Sequence, residues 1–420
     1  MAAVTAGYAL FSRRLATTAV SAPMVFTGFG VAIGPVGLGL LDLEHDAGPV
    51  LTLVEAALTL ILFTDAMSVR RRDLRVGGFL PGRLLGIGLP LTIGVGWLLA
   101  WPLLPGLTAW ELALLGTILA PTDAALGKTA VTSLRVPPLV RSGLNVESGL
   151  NDGMALPFFL LFLAALPGTV TSEEGVAGVF WRALVLSTAL GLAVAGLGGW
   201  LLRRSRERDW VSRDWRQVFT LAVAAGAYTL AVVVDGSGFI AAWVAGFAFG
   251  ASLRQGPSAE ALATDDTADL AGRLAELLAS LSFLVFGAVL LGPALEHLDW
   301  RIITYAVLSL TLVRMLPVAL SLTGSGLALP TISYIGWFGP RGLASVVFGL
   351  LVVEEHVPGV QLLSRVVAVT VALSILLHGT SAVVLSERYG AWHKKAAAQR
   401  PGLREGEPEE PGTGSSVSAP

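Results

Sequence analysis

Val146-Glu147-Ser148-Gly149-Leu150-Asn151-Asp152 places two carboxylates and an amide inside an apolar run that is long enough to cross a membrane. On the insertion scale, a charged group at the centre of a spanning helix costs roughly 2.5 to 3.5 kcal/mol, so an acid at that depth indicates function. At 100° per residue Glu147, Ser148, Asn151 and Asp152 lie at about 0°, 100°, 40° and 140°. The four polar side chains therefore share one arc of the helix and can face a polar cavity.

The composition of the whole chain is that of a membrane protein. Of its 420 residues, 54% are hydrophobic and 14% are charged, whereas roughly 25% of the residues in a soluble domain are charged. A net charge of −2 gives no indication of a nucleic-acid partner. The absence of Cys from the sequence excludes disulfides, thiolate metal sites and a Cys nucleophile. The composition predicts an all-α polytopic protein in a lipid bilayer.

Thirteen apolar runs follow one another along the chain, and a spanning helix needs about 17 to 25 residues to cross the hydrocarbon. The runs are 1–18, 22–41, 48–67, 80–103, 109–127, 139–166, 179–202, 216–234, 238–253, 271–293, 300–321, 331–352 and 362–385. We number them as spans 1 to 13. The first run lacks the basic region that precedes the apolar part of a signal peptide, so it predicts a short or truncated first span.

The charges of the connecting loops predict how the chain is oriented in the cell membrane. Basic residues mark every second loop, at 13–14, 70–75, 128–141 and 203–213, and acidic residues mark the others, at 42–46, 173–174, 235, 296–299 and 354–355. Because short cytoplasmic loops collect Lys and Arg, this alternation predicts an external N-terminus and a cytoplasmic C-terminus.

Two segments of the chain, 203–216 and 391–420, are predicted to lie outside the hydrocarbon region of the membrane. The transmembrane domain is predicted to cover 1–390, and 391–420 has so little apolar content that it predicts a disordered cytoplasmic tail. The Arg-rich segment 203–216 at the middle of the chain predicts either an amphipathic surface segment or a solvated linker.

Two spans contain helix breaks. In span 5, Leu119-Ala120-Pro121-Thr122-Asp123 predicts a break near Ala120 and a restart after Thr122 or Asp123. In span 12, Gly339-Pro340-Arg341-Gly342 predicts a second break. The breaks lie seven spans apart, as expected if spans 1–6 and 8–13 are two inverted repeats around span 7. Matching breaks are typical of a transporter's binding site, where Arg341 can neutralise negative helix ends and Asp123 positive ones.

These motifs resemble those of the sodium/proton antiporters, and specifically the electroneutral cation/proton exchanger branch with thirteen spans. The stretch 147–152 is similar to that branch's Glu-Ser-x-x-Asn-Asp signature, and 339–342 is similar to the Gly-x-Arg-Gly of its broken twelfth span. Thr122-Asp123 resembles the broken fifth span, although the family usually has Pro where this chain has Ala124. The resemblance covers 20–385 and implies that the broken helices 5 and 12 cross at mid-membrane.

The resemblance also implies roles for single residues. Asp152 would bind the proton or a transported monovalent cation, Ser148 and Thr122 would supply further oxygen ligands to that metal ion, and Asn151 would help to hold the site. Glu147 and Arg314 would form a structural ion pair. The remaining implications are that Asp65, in Phe63-Thr64-Asp65-Ala66, is an acid at the cytoplasmic access to the site, and that the protein is a homodimer.

The residues themselves leave alternatives open. Asp123 is predicted to be either a helix cap or part of the site, and Asp65 either the access acid or a solvated acid beside Arg70-Arg71-Arg72. Asp152 is predicted to be functional, against the alternative of a structural acid paired with an Arg. His378 predicts a hydrogen-bonded packing residue.

A mechanism follows if one carboxylate can hold H+ or a dehydrated cation but not both. Asn151 adds no second titrating group, so the exchange of H+ for Na+, Li+ or K+ is predicted to be one for one and electroneutral. The transport cycle is predicted to use alternating access, and the protein is predicted to serve pH and Na+ homeostasis. A cation channel is one rival, but paired helix breaks favour occlusion. An intramembrane lipid-modifying enzyme using Asp152 and Glu147 is the other. No His lies near that pair, and the chain is predicted to be no enzyme and to bind no cofactor.

Overall fold

The computed structural model describes residues 1–15, 18, 20–40, 43–69, 79–166, 176–254, 267–355, 357–400 and 403–406. Within these ranges every regular element is helical and there is no strand, so the predicted all-α fold is confirmed. In the same ranges, eight helices are long and apolar enough to span a membrane, and four shorter apolar helices of 10–17 residues accompany them. Of the loops used to predict orientation, 70–75 and 173–174 lie outside the described residues.

The helices follow the predicted spans in order. They are α1 Ala2–Leu15, α2 Ala22–Ile33, α3 Leu43–Ser68, α4 Phe79–Leu103, α5 Ala109–Ile118, α6 Lys128–Thr132, α7 Pro138–Ala164, α8 Val176–Glu207, α9 Arg213–Val233, α10 Gly238–Leu253, α11 Asp269–Leu295, α12 Trp300–Ser321, α13 Leu329–Trp337, α14 Leu343–Glu354 and α15 Val360–Gln399. Span 12 is divided into two helices, α13 and α14, whereas in span 5 regular helix ends with α5 at Ile118 and α6 begins just beyond the predicted end of the span, at Lys128.

The helices pack in two groups that meet at α7 and also where α11 contacts α14 and α15. In one group α10 packs against α3, α8 and α9, and α11 packs against α2 and α3. In the other group α12 packs against α4, α13 and α15, while α5 packs against α4 and α7. Because α7 also contacts α3, α8 and α10, the helix that carries the polar signature lies at the boundary between the two groups.

The C-terminal part of the chain differs from its prediction. The tail was predicted to begin at 391, but α15 continues through 391–399, where Ala396, Ala397 and Ala398 are strong helix formers. A 3-10 helix, Arg404–Gly406, follows and packs against α7. Residues 407–420 lie outside the described residues.

Candidate functional site

The first helix break separates α5 from α6. α5 ends at Ile118, an extended stretch and a turn follow, and regular helix resumes at Lys128. The predicted break near Ala120 is confirmed. The predicted restart after Thr122 or Asp123 is wrong, because the turn that follows does not become helical until Lys128.

Side-chain hydrogen bonds hold this turn in place of a helix. The Asp123 carboxylate accepts a bond from Ala125 N at 2.8 Å, and the Ser148 hydroxyl accepts one from Ala124 N at 2.7 Å. Asp and Ser side chains that bond nearby N–H groups compete with the helical pattern. The restart is therefore delayed by contacts, one of which comes from α7.

The second broken span separates α13, which ends at Trp337, from α14, which begins at Leu343. Two glycines of the break permit close approaches: a Cβ on Gly339 would overlap the Arg314 guanidinium, and a Cβ on Gly342 would overlap the Asp123 carboxylate. The Gly-x-x-Gly spacing thus admits one charged side chain at each end of the break.

The two breaks cross and are hydrogen-bonded to each other. Asp123 N donates to Pro340 O at 2.8 Å, and the Asp123 carboxylate accepts from Leu343 N, the first residue of α14, at 3.1 Å. Arg341 Nη1 donates to Ala120 O at 2.7 Å, just beyond the end of α5. A negative charge thus lies at a helix N-terminus and a positive charge at a helix C-terminus, and both arrangements are favourable to the helix dipoles.

The signature helix α7 is tied to the first break through Thr122. Ser148 Oγ donates to the Thr122 carbonyl at 2.7 Å, and Asn151 Nδ2 donates to the Thr122 hydroxyl at 2.6 Å. All three side chains are buried. Of the oxygens predicted as ligands, those of Thr122 and Ser148 are therefore engaged in protein hydrogen bonds in this conformation.

Glu147 and Arg314 form a buried, bidentate ion pair. Arg314 Nη1 donates to Glu147 Oε1 at 2.6 Å, and Nη2 donates to Oε2 at 2.9 Å. Both side chains are almost fully buried. Each carboxylate oxygen is satisfied by a cationic donor, which is the strongest kind of side-chain hydrogen bond. The pair links α7 to α12.

Asp152, five residues further along the same helix, is in a different situation. Its side chain is 8% exposed, and no donor in the described part of the chain reaches its Oδ1 atom, which we call the open oxygen. Asp65 and Asp123 both lie within electrostatic range of this carboxylate. A buried acceptor without a donor is unfavourable, and either a proton or a bare cation would satisfy it.

Asp65 lies at the contact between α3 and α7. A Cβ on Gly149 would lie 3.5 Å from the Asp65 Cβ atom, and the side chain of Asp65 is half-buried. The structure therefore brings Asp65 to the signature helix. The residues at 70–72 that would accompany a solvated acid lie outside the described range.

A small cavity reaches the crossing of the breaks. It has a volume of about 10 Å³, and its lining includes Thr122, Asp123, Ser148, Phe338 and Pro340. This is about the space that one water molecule needs. Asp152 is not one of the described residues that line this cavity. The cavity thus contacts three predicted site residues but does not extend to the open oxygen.

Three further residues at the breaks were not predicted as part of the site. Ser345 Oγ donates to the last carbonyl of α5 at 2.7 Å, and Ser374 Oγ accepts from Arg341 N at 2.7 Å. His378, predicted to be a hydrogen-bonded packing residue, is buried and its Nε2 lies 2.9 Å from Trp337 O at the end of α13. Each is a polar residue in an apolar span. Because burying polar groups in a membrane is costly, their position in these spans could have marked them as part of the site from the sequence.

Comparison with known proteins identifies related sequences along almost the entire chain. A family model described as "Sodium/hydrogen exchanger, transmembrane" matches residues 1–388. The K(+)/H(+) antiporter NhaP of Alkalimonas amylolytica is 28% identical over 373 residues, which cover 87% of this chain and 62% of that protein. A probable Na(+)/H(+) antiporter of Schizosaccharomyces pombe is 25% identical over 333 residues, which cover 70% of this chain and 43% of that protein. The chain therefore spans less than two thirds of the length of these relatives.

The fold is shared with a solved structure. The sodium proton antiporter MjNhaP1 from Methanocaldococcus jannaschii, solved at pH 8, superposes with a TM-score of 0.72 at 20% sequence identity. The superposition covers 88% of this chain and 92% of that one. At this identity the likeness concerns the architecture of the helices.

Proposed function

The chain belongs to the sodium/hydrogen exchanger family, and we propose that it is a secondary transporter that exchanges a monovalent cation for H+ across the membrane. The observation that carries the proposal is the open oxygen of Asp152, buried on α7 beside the crossing of two broken helices. Irregular backbone at membrane depth is tolerated where it lines a cavity, and transporters place their binding sites at such breaks.

Competition for one carboxylate explains exchange. Asp152 can hold a proton or a dehydrated cation, and each excludes the other. Ser148 and Thr122 hold hydroxyl oxygens near this position, and a small rearrangement of the hydrogen bonds that join α7 to the first break would turn those oxygens toward a cation. Asn151 carries no titrating group, so the proposed stoichiometry is one for one and the exchange is electroneutral.

The arrangement of the helices supports alternating access. α7 lies between the two helix groups, so rocking of one group against the other would move the signature helix relative to α3, α8 and α10. The proposal includes an external N-terminus, a cytoplasmic C-terminus, a transmembrane domain over 1–390 and the cell membrane as location, as the sequence predicts. It also includes a homodimer, as the resemblance to the family implies.

Na+ is the proposed cation, with Li+ and K+ as alternatives. The names of the relatives support both Na+ and K+, since one is a K(+)/H(+) antiporter and another a probable Na(+)/H(+) antiporter. The two rival functions are disfavoured. The family is one of exchangers and not of enzymes, and the hydrogen-bonded crossing of the breaks supports an occluded site over a continuous channel.

The proposal is tested by reconstituting the purified protein into proteoliposomes that contain a pH-sensitive dye. Adding Na+, Li+ and K+ in turn should cause cation-dependent proton movement, and clamping the membrane potential with valinomycin in matched K+ should leave the Na+-driven signal unchanged. Proton movement that depends steeply on the membrane potential would reject one-for-one exchange. An electrical current without coupled proton movement would indicate a channel.

A further inference from the structure

The half-helix α13 is capped by a residue from the C-terminal end of the described chain. Its N-cap residue is Ala328, whose methyl side chain cannot accept a hydrogen bond. Glu405 takes this place: its Oε1 accepts from Ala328 N and from Thr331 Oγ1, both at 2.7 Å. A carboxylate at a helix N-terminus satisfies N–H groups that lack partners and is favoured by the dipole. Glu405 is only 1% exposed, so this is a built contact and not a surface one.

The neighbouring Arg404 strengthens the same attachment. Its guanidinium donates to the Ser325 carbonyl in the loop before α13. It also lies 4.1 Å from the ring centre of Phe79, the first residue of α4, as in a cation–π contact. Arg404 and Glu405 therefore join α13, the loop that precedes it and the start of α4.

The far end of α13 leads directly into the crossing of the breaks. α13 has nine residues, which correspond to about 13 Å of helix. It ends at Trp337, and three residues further on the carbonyl of Pro340 accepts the hydrogen bond from Asp123 N. His378 contacts the carbonyl of Trp337 at this end. A short helix held at both ends moves as a rigid rod, so a shift at its N-terminus is carried to the backbone around Asp123.

We propose that Arg404 and Glu405 form a clasp that positions α13 and, through it, the crossing beside the cation site. The clasp residues are positioning residues: they lie at the opposite end of α13 from Asp123 and act by fixing the half-helix. This inference rests on the proposed exchange function, because the site that it positions is the proposed cation site.

The first test is cation affinity in Glu405→Ala, made in the full chain and assayed in proteoliposomes. The KM for the cation should rise at least about fivefold, the lower end of the usual coupling between two sites, while the maximal rate per folded protein changes less. Glu405→Gln should stay close to wild type, since the amide oxygen can accept both hydrogen bonds. Glu207→Ala is the matched control, because Glu207 is exposed and, among the described residues, pairs with Arg204 on the surface.

A double-mutant cycle identifies the partner. Thr331→Val removes one donor to Glu405 and also the hydroxyl that bonds Tyr389 OH at 3.0 Å. If both residues act through the clasp, the KM effect of the double variant should be smaller than the sum of the effects of Thr331→Val and Glu405→Ala. Additive effects would place the action of Glu405 elsewhere and contradict the clasp.

Hydrogen exchange provides a readout that does not depend on transport. In Glu405→Ala, amides of α13 and of 338–342 should exchange faster than in wild type and in Glu207→Ala. Faster exchange confined to the first turn of α13, or an unchanged KM, would overturn the inference. If the wild-type protein exchanges no cation, the proposed function fails, and the clasp is then decided by hydrogen exchange alone.

Discussion

Glu147 and Asp152 are two buried carboxylates on the same helix, and their surroundings differ completely. Glu147 is 3% exposed and Asp152 is 8% exposed, so burial does not distinguish them. Glu147 receives two hydrogen bonds from Arg314 at 2.6 and 2.9 Å, whereas no described donor reaches the open oxygen of Asp152. The comparison shows that the partner of a buried acid, rather than its depth, indicates what it does.

The difference has an energetic basis. A buried charge with a bidentate partner is stable in place, and removing the partner typically costs 3 to 5 kcal/mol because the other charge remains uncompensated. A buried carboxylate with an open oxygen gains stability by binding a proton or a cation. We therefore expect Glu147 to contribute to folding and Asp152 to contribute to transport.

The largest effect is expected for Asp152→Asn. The amide keeps the size and hydrogen-bonding capacity of the side chain but neither releases a proton nor offers a countercharge, so exchange in proteoliposomes should fall to background. The protein should still fold, since a buried charge has been removed, and size-exclusion chromatography in detergent checks this. Transport that remains in a folded Asp152→Asn variant would move the site elsewhere, most directly to Asp123.

Glu147→Gln should act mainly on stability. It leaves the Arg314 guanidinium buried without its countercharge, so the free energy of unfolding should fall by roughly 3 to 5 kcal/mol, measured as reduced thermal stability and a lower yield of folded protein.

The matched control for Glu147→Gln is the double variant that also carries Arg314→Gln. Because neither charge then remains buried alone, part of the lost stability should return. A Glu147→Gln protein that is fully stable but inactive would show instead that Glu147 belongs to the transport site. The assignment of Glu147 to folding and of Asp152 to transport would then be wrong.

The smallest effect is expected for Asp123→Asn. Asn caps helices about as well as Asp, and its single side-chain oxygen can replace one of the two acceptors that now bond Leu343 N and Ala125 N. Losing one hydrogen bond to a charged group costs about 1.5 to 3 kcal/mol, so exchange should be slowed but should remain measurable above background. Complete loss of exchange in a folded protein would show that the charge of Asp123 takes part in transport.

Much of this division could be predicted from the sequence. The cost of charges in a membrane identified the stretch 146–152, and Pro and Gly identified both breaks, because these signals are local. The partner of Glu147 lies 167 residues away, and only the resemblance to a family pointed to Arg314.

The remaining features depend on contacts between distant residues, which no local pattern encodes. The oxygen of Asp152 is open because no described donor from any neighbouring helix reaches it. The late restart at Lys128 is caused in part by Ser148, which lies on another helix. Glu405 lies 77 residues from the N–H group of Ala328 that it caps, in a segment whose composition predicted disorder. These features became visible only in the folded chain.

If a proton and a cation compete for Asp152, binding of the cation must release the proton, and this release can be measured. Purified protein in detergent and weakly buffered solution, with a pH indicator, is titrated with NaCl, LiCl or KCl against choline chloride as the control for ionic strength. We predict about one proton released per bound cation in the wild type and none in folded Asp152→Asn. Proton release that persists in folded Asp152→Asn, or cation binding by the wild type without proton release, would show that the two ions do not compete for Asp152.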